Sequence, residues 1–244
     1  MKASITVIIP CFNEEARLAR SVRAIVSYLR ESEFTADLLF VNDGSTDTTV
    51  ELIEKLRSEV YPLAVEIRGW TQNRGKGAAV REGMLHAARE WCLICDADLS
   101  TPIEDLDRLL SAGADHDVII GSRRAPGAQI LAPQPWYRVI MGKFFSRLSG
   151  ILLALPVNDV TCGFKLLSRE AARKVGGKMT LDRWGYDAEL IKIAVEQNCR
   201  MKEVGVRWTH DAGSKVRLGK DILRSACELV MIWRNSLNGR YRGE

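Results

Sequence analysis

Short apolar runs alternate along this chain with segments in which apolar residues recur at helical spacing. The run SITVIIP at 4–10 has the character of a buried strand, and between Leu18 and Leu29 the apolar residues then fall on one face of a helix. Further strands are predicted at 38–43, 62–67, 91–95 and 117–122, with helices within 45–59, where a Ser or Thr forms the cap, and at about 75–89 and 102–112. This alternation predicts an α/β fold with a parallel, doubly wound sheet.

Polar residues follow the predicted strands at the points where the strands end. They are Asn13 and Glu14 after the first strand, Asp43 after the second, Asp96 and Asp98 after the fourth, and Ser122 and Arg123 after the fifth. In parallel α/β sheets, ligands bind beyond the carboxyl ends of the strands. The pattern therefore predicts a binding or catalytic site along this edge of the sheet.

Asp96 and Asp98 place two carboxylates one residue apart at the end of a buried strand. Such a pair can perform acid/base chemistry, cap the helix that Pro102 starts, or bind a hard cation together with substrate phosphates. Oxygen ligands in small number suit Mg²⁺ or Mn²⁺, and a nucleotide diphosphate is the natural source of the phosphates. The spacing alone leaves these readings open.

Composition and charge narrow the function classes. The 244 residues carry a net charge of +4, and residues 201–244 hold nine Lys and Arg against five Asp and Glu. A basic region suits nucleic acid, an anionic membrane or an anionic acceptor. Because zinc-finger spacing, an RNP-like motif and a dense basic stripe are absent, we expect no nucleic-acid partner.

The cysteines and the apolar runs indicate a compartment. Six cysteines lie scattered in apolar segments, which predicts reduced core residues; Cys92 and Cys95 form a C-x-x-C without the second ligand pair that zinc needs. No apolar run has the form of a signal peptide or the length of a membrane span. We therefore expect a cytoplasmic protein without its own transmembrane helix.

Several longer stretches occur in a recognisable order. VIIPCFNEE (7–15), VNDGSTDTT (41–49), NRGKGAAVREG (73–83), DADLSTP (96–102) and GSR (121–123) are followed by DVTCGFKLLSREAA (159–172), RWGYDAEL (183–190) and WTHDAGSK (208–215). Over nearly all of 4–218 the chain resembles the family 2 glycosyltransferases of the GT-A fold. It is most similar to their polyprenyl-phosphate branch, the dolichyl-phosphate glucosyl- and mannosyltransferases. The resemblance implies an inverting, metal-dependent transfer of a hexose, with UDP-glucose favoured over GDP-mannose as donor, to a polyprenyl phosphate.

The resemblance also implies roles for individual residues. Nucleotide-sugar binding falls to Pro10, Asn13, Glu14, Asp43, Ser45, Lys76 and Asp96. Asp98 takes the place of the principal ligand of Mg²⁺ or Mn²⁺, with Asp96 beside it. Some mannose-transferring relatives hold the metal with a Gln two residues after the second Asp. Here that residue is Ser100, which puts this contact in doubt.

On the acceptor side, the resemblance assigns the phosphate to Arg123, Arg138 and Lys215. A phosphate monoester has a second pKa near 6, so it is largely ionised at pH 7 and needs cations more than a general base. Asp159 is the remaining catalytic candidate beside Asp96, Asp98 and Arg123, either orienting a substrate or, in hydroxyl-directed relatives, serving as the base. A transferase acting on a hydroxyl and a non-catalytic nucleotide-sugar binding module are the alternatives.

A second acidic group lies in RWGYDAEL. For Asp187 and Glu189, sugar recognition or metal support competes with a structural salt bridge to Arg183 or Lys192. Trp184 and Tyr186 could stack on a sugar or fill the core. The sequence does not separate these readings.

Two apolar stripes at helical spacing indicate membrane contact or packing. The first runs from Trp136 to Leu155 through Ile140, Phe144, Leu148 and Ile151 or Leu152, among Arg138, Lys143 and Arg147. The second comprises Ile222, Ala226, Leu229, Val230, Trp233 and Leu237. We expect the first to touch a membrane surface and the second to pack on the catalytic domain or in a homodimer, with membrane contact as the alternative for the second. The predicted organisation is a GT-A domain at 1–218 and a basic helical tail at 219–244, bound peripherally at the cytoplasmic face of a membrane.

Overall fold

The structure is a computed structural model that describes residues 3–211 and 220–242. The side chains discussed below are those of 3–211 and 225–242. The predicted acceptor residue Lys215 lies outside the described residues, and so does the side chain of Ile222 in the second stripe.

A seven-stranded sheet forms the centre of the molecule, in the order β3-β2-β1-β4-β7-β5-β8. Its strands are β1 Ser4–Cys11, β2 Thr35–Asp43, β3 Ala64–Trp70, β4 Trp91–Ile94, β5 Val118–Ser122, β7 Lys165–Ser168 and β8 Met201–Gly205. A separate pair contains β6 Gln129–Ala132 and β9 Arg207–Thr209. The predicted α/β class is confirmed, and the predicted strands fall within a few residues of the observed ones.

Eight α-helices accompany the strands in the part of the chain that the structure describes. They are α1 Leu18–Glu31, α2 Thr49–Glu59, α3 Lys76–His86, α4 Leu106–Gly113, α5 Trp136–Leu153, α6 Arg169–Lys178, α7 Tyr186–Glu196 and α8 Lys220–Leu237. A short 3-10 helix, Ile103–Asp105, precedes α4 directly after Pro102. The cap of α2 differs from the prediction, because Thr48 makes no side-chain cap and Asp47 accepts the Thr49 N–H at 3.0 Å instead.

Two apolar cores flank the sheet. In β1, Ile8 belongs to the core that contains residues of α3, α6 and α7, whereas Val7 and Ile9 belong to the core that contains residues of α1 and α2. Side chains in a strand alternate between faces, so a strand buried on both faces reads as a nearly continuous apolar run. This burial accounts for the run SITVIIP and for the other apolar runs of the sequence.

One strand departs from the parallel arrangement that the pattern predicts. β7 runs antiparallel between β4 and β5, with Lys165 opposite Ile94 in one neighbour and Ile120 in the other. The start of β7 therefore lies at the same edge of the sheet as the ends of β4 and β5. This reversal brings residues 162–165 next to Asp96.

The helix α5 exposes its apolar face, whereas helices of globular proteins usually turn that face toward the core. Its buried residues are Ser146, Ser149 and Leu153. Its exposed face is apolar and consists of Trp136, Tyr137, Ile140, Phe144, Leu148, Ile151 and Leu152. The predicted stripe exists, except that Leu155 is buried, and it points away from the sheet.

The helix α8 packs on the body of the molecule. Leu229 and Ile232 are buried in the same core as residues of α3, α6 and α7. Glu228 accepts a hydrogen bond from the Gly185 N–H at 2.7 Å, directly before α7. Val230, Trp233 and Leu237 of the second stripe are exposed. Cys227 on the same helix is also exposed, which corrects the prediction that all six cysteines are core residues.

Candidate active site

A small cleft opens at the carboxyl end of β4. Its lining consists of Asp96, Leu99, Ser100, Thr101, Gly163, Phe164 and Trp208. The lining residues come from the β4–α4 connection, the segment before β7, and β9. The Thr209 N–H donates to the Ser100 carbonyl at 2.8 Å and so fastens β9 to the β4–α4 connection. The predicted sheet edge thus carries a concave site.

Asp96 forms an ion pair with a lysine from the start of α3. The Nζ of Lys76 lies 2.6 Å from Asp96 Oδ1. Burial lowers the pKa of Lys76, but the charges of Asp96 and Asp187 outweigh it and hold this pKa well above its usual value. On the other side of the Asp96 carboxylate, a Cβ at Gly163 would stand 2.1 Å from Oδ2. A glycine is therefore required at 163 for Asp96 to keep its position.

Asp98 turns back on its own loop. Its Oδ1 accepts the Ser100 N–H at 2.9 Å, and its Oδ2 lies 3.9 Å from Arg17 Nη1. Burial and the neighbouring charge of Asp96 raise the pKa of Asp98 above its usual value. Leu99, between the bonded residues, adopts a left-handed backbone conformation with φ of 49°. The two carboxylates are thus close enough to repel each other, and cations from other elements compensate both.

The two carboxylates suit a hard cation that is shared with phosphate. Among the residues that the structure describes, no group of three or more His, Cys, Asp or Glu side chains is arranged to hold a metal ion. From the described part of the chain, Asp96 and Asp98 would be the ligands, and phosphate and water oxygens would contribute to the shell, which is the binding mode typical of Mg²⁺. Ser100 lines the cleft and orients Asp98 through its backbone.

Arg17 is a residue that the sequence interpretation missed. Its guanidinium contacts Glu14 through Nε and Nη2 and lies 2.8 Å from Asp211 Oδ1, besides approaching Asp98. It therefore joins the loop after β1, the β4–α4 connection and the end of β9. A single arginine between two predicted elements carries no signal in the sequence that would distinguish it from a surface charge.

The loops after β1 and β2 hold each other in place. The Asn13 N–H donates to Ser45 Oγ at 3.0 Å, and Asn13 Oδ1 accepts the Thr46 N–H at 2.8 Å. The Glu14 N–H donates to Thr49 Oγ1 at 2.8 Å, and Pro10 is buried in β1. The structure brings Pro10, Asn13, Glu14 and Ser45 together at one end of the sheet, as predicted for one binding region.

The Asp43 carboxylate is hydrogen-bonded to other residues of the protein. Its carboxylate is buried and accepts hydrogen bonds from Trp70 Nε1 at 2.7 Å, Asn73 Nδ2 at 2.8 Å, and the N–H groups of Arg74 at 2.8 Å and Gly75 at 2.9 Å. These four donors occupy both carboxylate oxygens. Asp43 therefore organises the loop that leads into Lys76, a role that the sequence interpretation, which expected a direct donor contact, did not foresee.

Arg123 and Asp159, predicted as separate candidates, form one unit. Arg123 Nε and Nη2 each lie 2.7 Å from Asp159, and the Arg123 N–H adds a third bond at 2.9 Å. The guanidinium also lies over the ring of Trp208, 5.4 Å from its centroid. Burial raises the pKa of Asp159, but the bonds and charge of Arg123 prevail and hold it below its usual value.

The second acidic group divides into two environments. Asp187 is 6% exposed and pairs with Lys165, not with Arg183 or Lys192. Glu189 is fully buried and accepts hydrogen bonds from Thr180 and Leu181 N–H groups and from Tyr241 Oη at 2.8 Å. Glu189 therefore holds the chain before α7, and the bonds that the structure shows for it include no salt bridge to Arg183 or Lys192.

The predicted aromatic candidates and Arg138 do not line the cleft. Tyr186 is fully buried beneath Lys76, whose Nζ lies 5.9 Å from the ring centroid, while Trp184 is half-buried and outside the lining of the cleft. Trp208, which was not singled out as an aromatic candidate, lines the cleft instead. Arg138 lies on α5, and no contact described for it reaches the residues of the cleft.

The sequence is similar to a known family and to its curated members. Residues 6–176 match the family described as Glycosyl transferase family 2. The chain is 34% identical over 250 residues to a dolichyl-phosphate beta-glucosyltransferase of Drosophila melanogaster, covering 98% of this chain and 77% of the relative. It is 30% identical to the enzyme of the same name from Saccharomyces cerevisiae, covering 98% of this chain and 76% of that relative.

Solved structures with the same arrangement of elements have lower identity. A mannosyltransferase from Pyrobaculum calidifontis, in complex with GDP-Man and Mn²⁺, superposes with a TM-score of 0.64 at 19% identity and covers 100% of this chain and 66% of its own. Glucosyl-3-phosphoglycerate synthase from Mycobacterium tuberculosis, in complex with Mn²⁺, UDP-Glc and phosphoglyceric acid, gives a TM-score of 0.61 at 18% identity, covering 95% and 80%.

Proposed function

The chain belongs to glycosyl transferase family 2 and has the GT-A fold, and from this premise we propose that it transfers glucose from UDP-glucose to a dolichyl-type polyprenyl phosphate. The name shared by its curated relatives at 29–34% identity supports the acceptor and the sugar. An acceptor phosphate oxygen attacks C1 of the glucose, the bond from C1 to the diphosphate breaks, and UDP leaves with the electron pair. Attack from the face opposite UDP inverts the anomeric carbon.

The donor diphosphate binds at Asp96, Asp98 and Lys76 in this proposal. The loop residues Asn13 and Ser45 border the nucleoside, and Asp43 acts by holding the loop before Lys76. When bound at the two aspartates, Mg²⁺ or Mn²⁺ supplies positive charge that stabilises the leaving diphosphate. The Lys76 ammonium, partly exposed beside Asp96, adds a cation from the chain itself.

The ion pairs formed by the acidic side chains support a phosphate as the acceptor. Around the cleft, within the described part of the chain, Asp159 is bonded to Arg123, Asp187 to Lys165 and Asp96 to Lys76. A hydroxyl acceptor needs a base to remove its proton, and Arg123 holds the pKa of Asp159, the candidate base, below its usual value, which makes it a poor base. A phosphate arrives already ionised. The site therefore favours a phosphate acceptor over a hydroxyl.

Acceptor phosphate binding is assigned to Arg123, with Arg138 and Lys215 as further candidates from the sequence. The Arg123 side chain is 17% exposed and lies over Trp208, and Asp159 occupies its Nε and Nη2. A guanidinium has five N–H donors, so donors remain for phosphate. Asp159 orients Arg123 rather than acting as a base.

The test is a matrix of donors and acceptors with the purified protein and Mg²⁺ or Mn²⁺. UDP-glucose or GDP-mannose is incubated with a polyprenyl phosphate or with the corresponding polyprenol, and the lipid product is identified by mass. We expect glucosyl phosphoprenol from UDP-glucose, lost in Asp98→Ala. If the enzyme prefers GDP-mannose, UDP-glucose is not its donor. If it transfers the sugar to the polyprenol, the proposed phosphate acceptor is wrong. Tight nucleotide-sugar binding without turnover in any arm supports a binding module instead.

The outward apolar face of α5 supports a location at a membrane. Arg138, Lys143 and Arg147 lie on the same helix as this face, and 136–153 contain no Asp or Glu. An amphipathic helix of this kind binds in the plane of an anionic bilayer. Across the described residues, none of the helices has the length and apolar character to cross a bilayer. We propose that α5 docks peripherally on anionic lipid and presents the cleft to its acceptor.

The compartment is proposed from the cysteines. All six are free thiols, and Cys227 is exposed. Free thiols are typical of a reducing compartment, so the proposed surface is the cytoplasmic face of the membrane.

A further inference from the structure

Lys165 is a charged residue in the interior of the sheet. It is 1% exposed, at the first position of β7, and lies between Ile94 of β4 and Ile120 of β5. Burying an ammonium group is costly unless hydrogen bonds and an opposite charge compensate it. Its Nζ donates to the Cys162 carbonyl at 2.6 Å and to the Asp187 carboxylate. The donor chemistry proposed above does not use this group.

The pair extends toward the cleft as an alternating series of charges. Asp187, at the start of α7, pairs with Lys165, and the ring of the preceding residue, Tyr186, lies 5.9 Å from Lys76 Nζ. The charge of Asp187 therefore acts on both lysines. Lys76 in turn forms its ion pair with Asp96 at 2.6 Å. We call Lys165, Asp187, Lys76 and Asp96 the charge series. Each internal member has an opposite charge on both sides, so moving one member changes the field that holds the next.

The start of β7 contacts Asp96 from a second direction. Gly163, two residues before Lys165, packs against the Asp96 carboxylate, where a Cβ would meet Oδ2 at 2.1 Å. The Lys165 bond to the Cys162 carbonyl fastens the same short segment. Residues 162–165 thus control Asp96 by steric contact at Gly163 and by charge through Asp187 and Lys76.

Stability alone does not account for this buried pair. Replacing a buried ion pair by neutral groups of similar volume is often neutral or stabilising. A pair kept at this cost, one step from a donor-binding lysine, is explained if it orients that lysine. We propose that Lys165 is a positioning residue, which fixes Asp187 and through it the Lys76 and Asp96 pair in the geometry that receives the donor diphosphate. This inference rests on the proposed donor site.

The experiment separates positioning from folding with three variants. Lys165→Met removes the charge at similar length and leaves Asp187 without its directly bonded cation in the interior. The double variant Lys165→Met with Asp187→Asn removes both charges. Lys192→Met is the matched control, since Lys192 pairs with Glu196 at 3.2 Å on the same α7 helix and both side chains are mostly buried.

For each variant we would measure the melting temperature, the affinity for UDP and for GDP by calorimetry, KM and kcat for the donor, and a crystal structure. We expect Lys165→Met to lower the melting temperature. We also expect it to weaken nucleotide binding and to raise KM, each by about 10–100-fold, which is the range for outer-shell partners. The double variant regains the melting temperature but keeps the raised KM, and its Lys76 Nζ to Asp96 Oδ1 distance is longer than 2.6 Å. The control keeps the wild-type KM.

Two results overturn the proposal. One is a double variant with both wild-type stability and wild-type KM; the other is a double variant in which the distance from Lys76 to Asp96 is unchanged. The crystal structure needs neither turnover nor a particular sugar, so absence of glucosyl transfer by the wild type refutes the proposed function without deciding the role of Lys165.

Discussion

Asp159 accepts two hydrogen bonds of 2.7 Å from the side chain of Arg123, with Asp159 fully buried and Arg123 17% exposed. This geometry is the fork-to-fork pairing that makes arginine and carboxylate bonds strong and directional. Arg123 also spans to Thr161 Oγ1 at 2.8 Å, so its guanidinium plane is fixed. A fixed arginine with donors to spare suits the phosphate-binding role proposed for Arg123, and the same bonds suit Asp159 for orienting it.

The first prediction concerns the stability of this pair. In Asp159→Ala, Arg123 loses its buried partner, and breaking such a pair costs about 3–5 kcal/mol of unfolding free energy at neutral pH. Because the pKa of Asp159 is depressed in the folded protein, its contribution is present above the unfolded value of about 4 and is lost as pH falls through the folded value. Urea unfolding from neutral pH downward should show the gap between variant and wild type closing below about pH 4.

The matched control for this prediction is Asp117→Ala. Asp117 pairs with Arg200 at 3.0 Å, but the Arg200 side chain is 63% exposed. Exposed pairs contribute about 0–1 kcal/mol. A gap for Asp159→Ala that stays constant from neutral to acidic pH would show that the ionised carboxylate is not what stabilises Arg123.

The second prediction concerns Gly163. In Gly163→Ala the new Cβ meets the Asp96 carboxylate, and a shift of this carboxylate away from the Cβ changes its ion pair with Lys76. A displacement of about 1 Å in a catalytic group costs about 10²-fold in rate. We expect that loss in kcat/KM while circular dichroism and the melting temperature remain near wild type. Gly177→Ala on α6 is the control, because a Cβ there has no atom within 4 Å and activity should persist. Full activity of Gly163→Ala would remove Asp96 from the donor site.

The third prediction concerns Asp43. Asp43→Ala leaves its four donors, from Trp70 to Gly75, without their acceptor. Each donor that stays buried and unpaired costs about 1–3 kcal/mol. The loop before Lys76 also loosens, so UDP affinity should fall together with the urea midpoint. Glu66→Ala, which breaks an exposed pair with Arg68, should change neither. A variant that loses UDP affinity at unchanged stability would indicate a direct contact between Asp43 and the nucleotide.

The sequence anticipated the features that depend on local pattern. Apolar runs marked the buried strands, and the acidic residues after β4 were placed at the carboxyl edge of the sheet, where they do lie beside a cleft. The apolar stripe of α5 followed from helical spacing. Helical spacing identifies a stripe but does not say which side faces solvent. That α5 buries Ser146 and Ser149 instead depends on what surrounds it in the fold.

The features that were missed depend on contacts between distant parts of the chain. Gly163 touches Asp96, and Lys165 pairs with Asp187, only because β7 enters the sheet in the reverse direction between β4 and β5. Periodicity cannot report such an insertion. One signal was present, since a lysine inside the apolar run GFKLL is unusual in a buried strand and indicates a specific partner.

The fourth prediction concerns the apolar face of α5. Burying side chains such as Ile140 and Phe144, which are 58% and 68% exposed, gains about 1.5–3 kcal/mol for each one that is fully buried. Replacing both by Glu removes that gain and adds like charge against an anionic surface. In sedimentation with vesicles, we expect the wild type to bind anionic phosphatidylserine vesicles and not neutral ones, and the double variant to bind neither.

Two controls decide what covers this face. Tyr61→Glu changes an aromatic side chain that is 80% exposed away from α5 and should leave vesicle binding intact. Turnover of a short, water-soluble prenyl phosphate should be unchanged in the α5 variant, because its cleft is untouched, whereas turnover of vesicle-embedded acceptor should fall. If light scattering instead finds a wild-type dimer that Glu substitution splits, and vesicle binding is absent, the face is a homodimer contact. An exposed apolar helix face without acidic residues then serves a second copy of the chain, and the acceptor must reach the cleft by another surface.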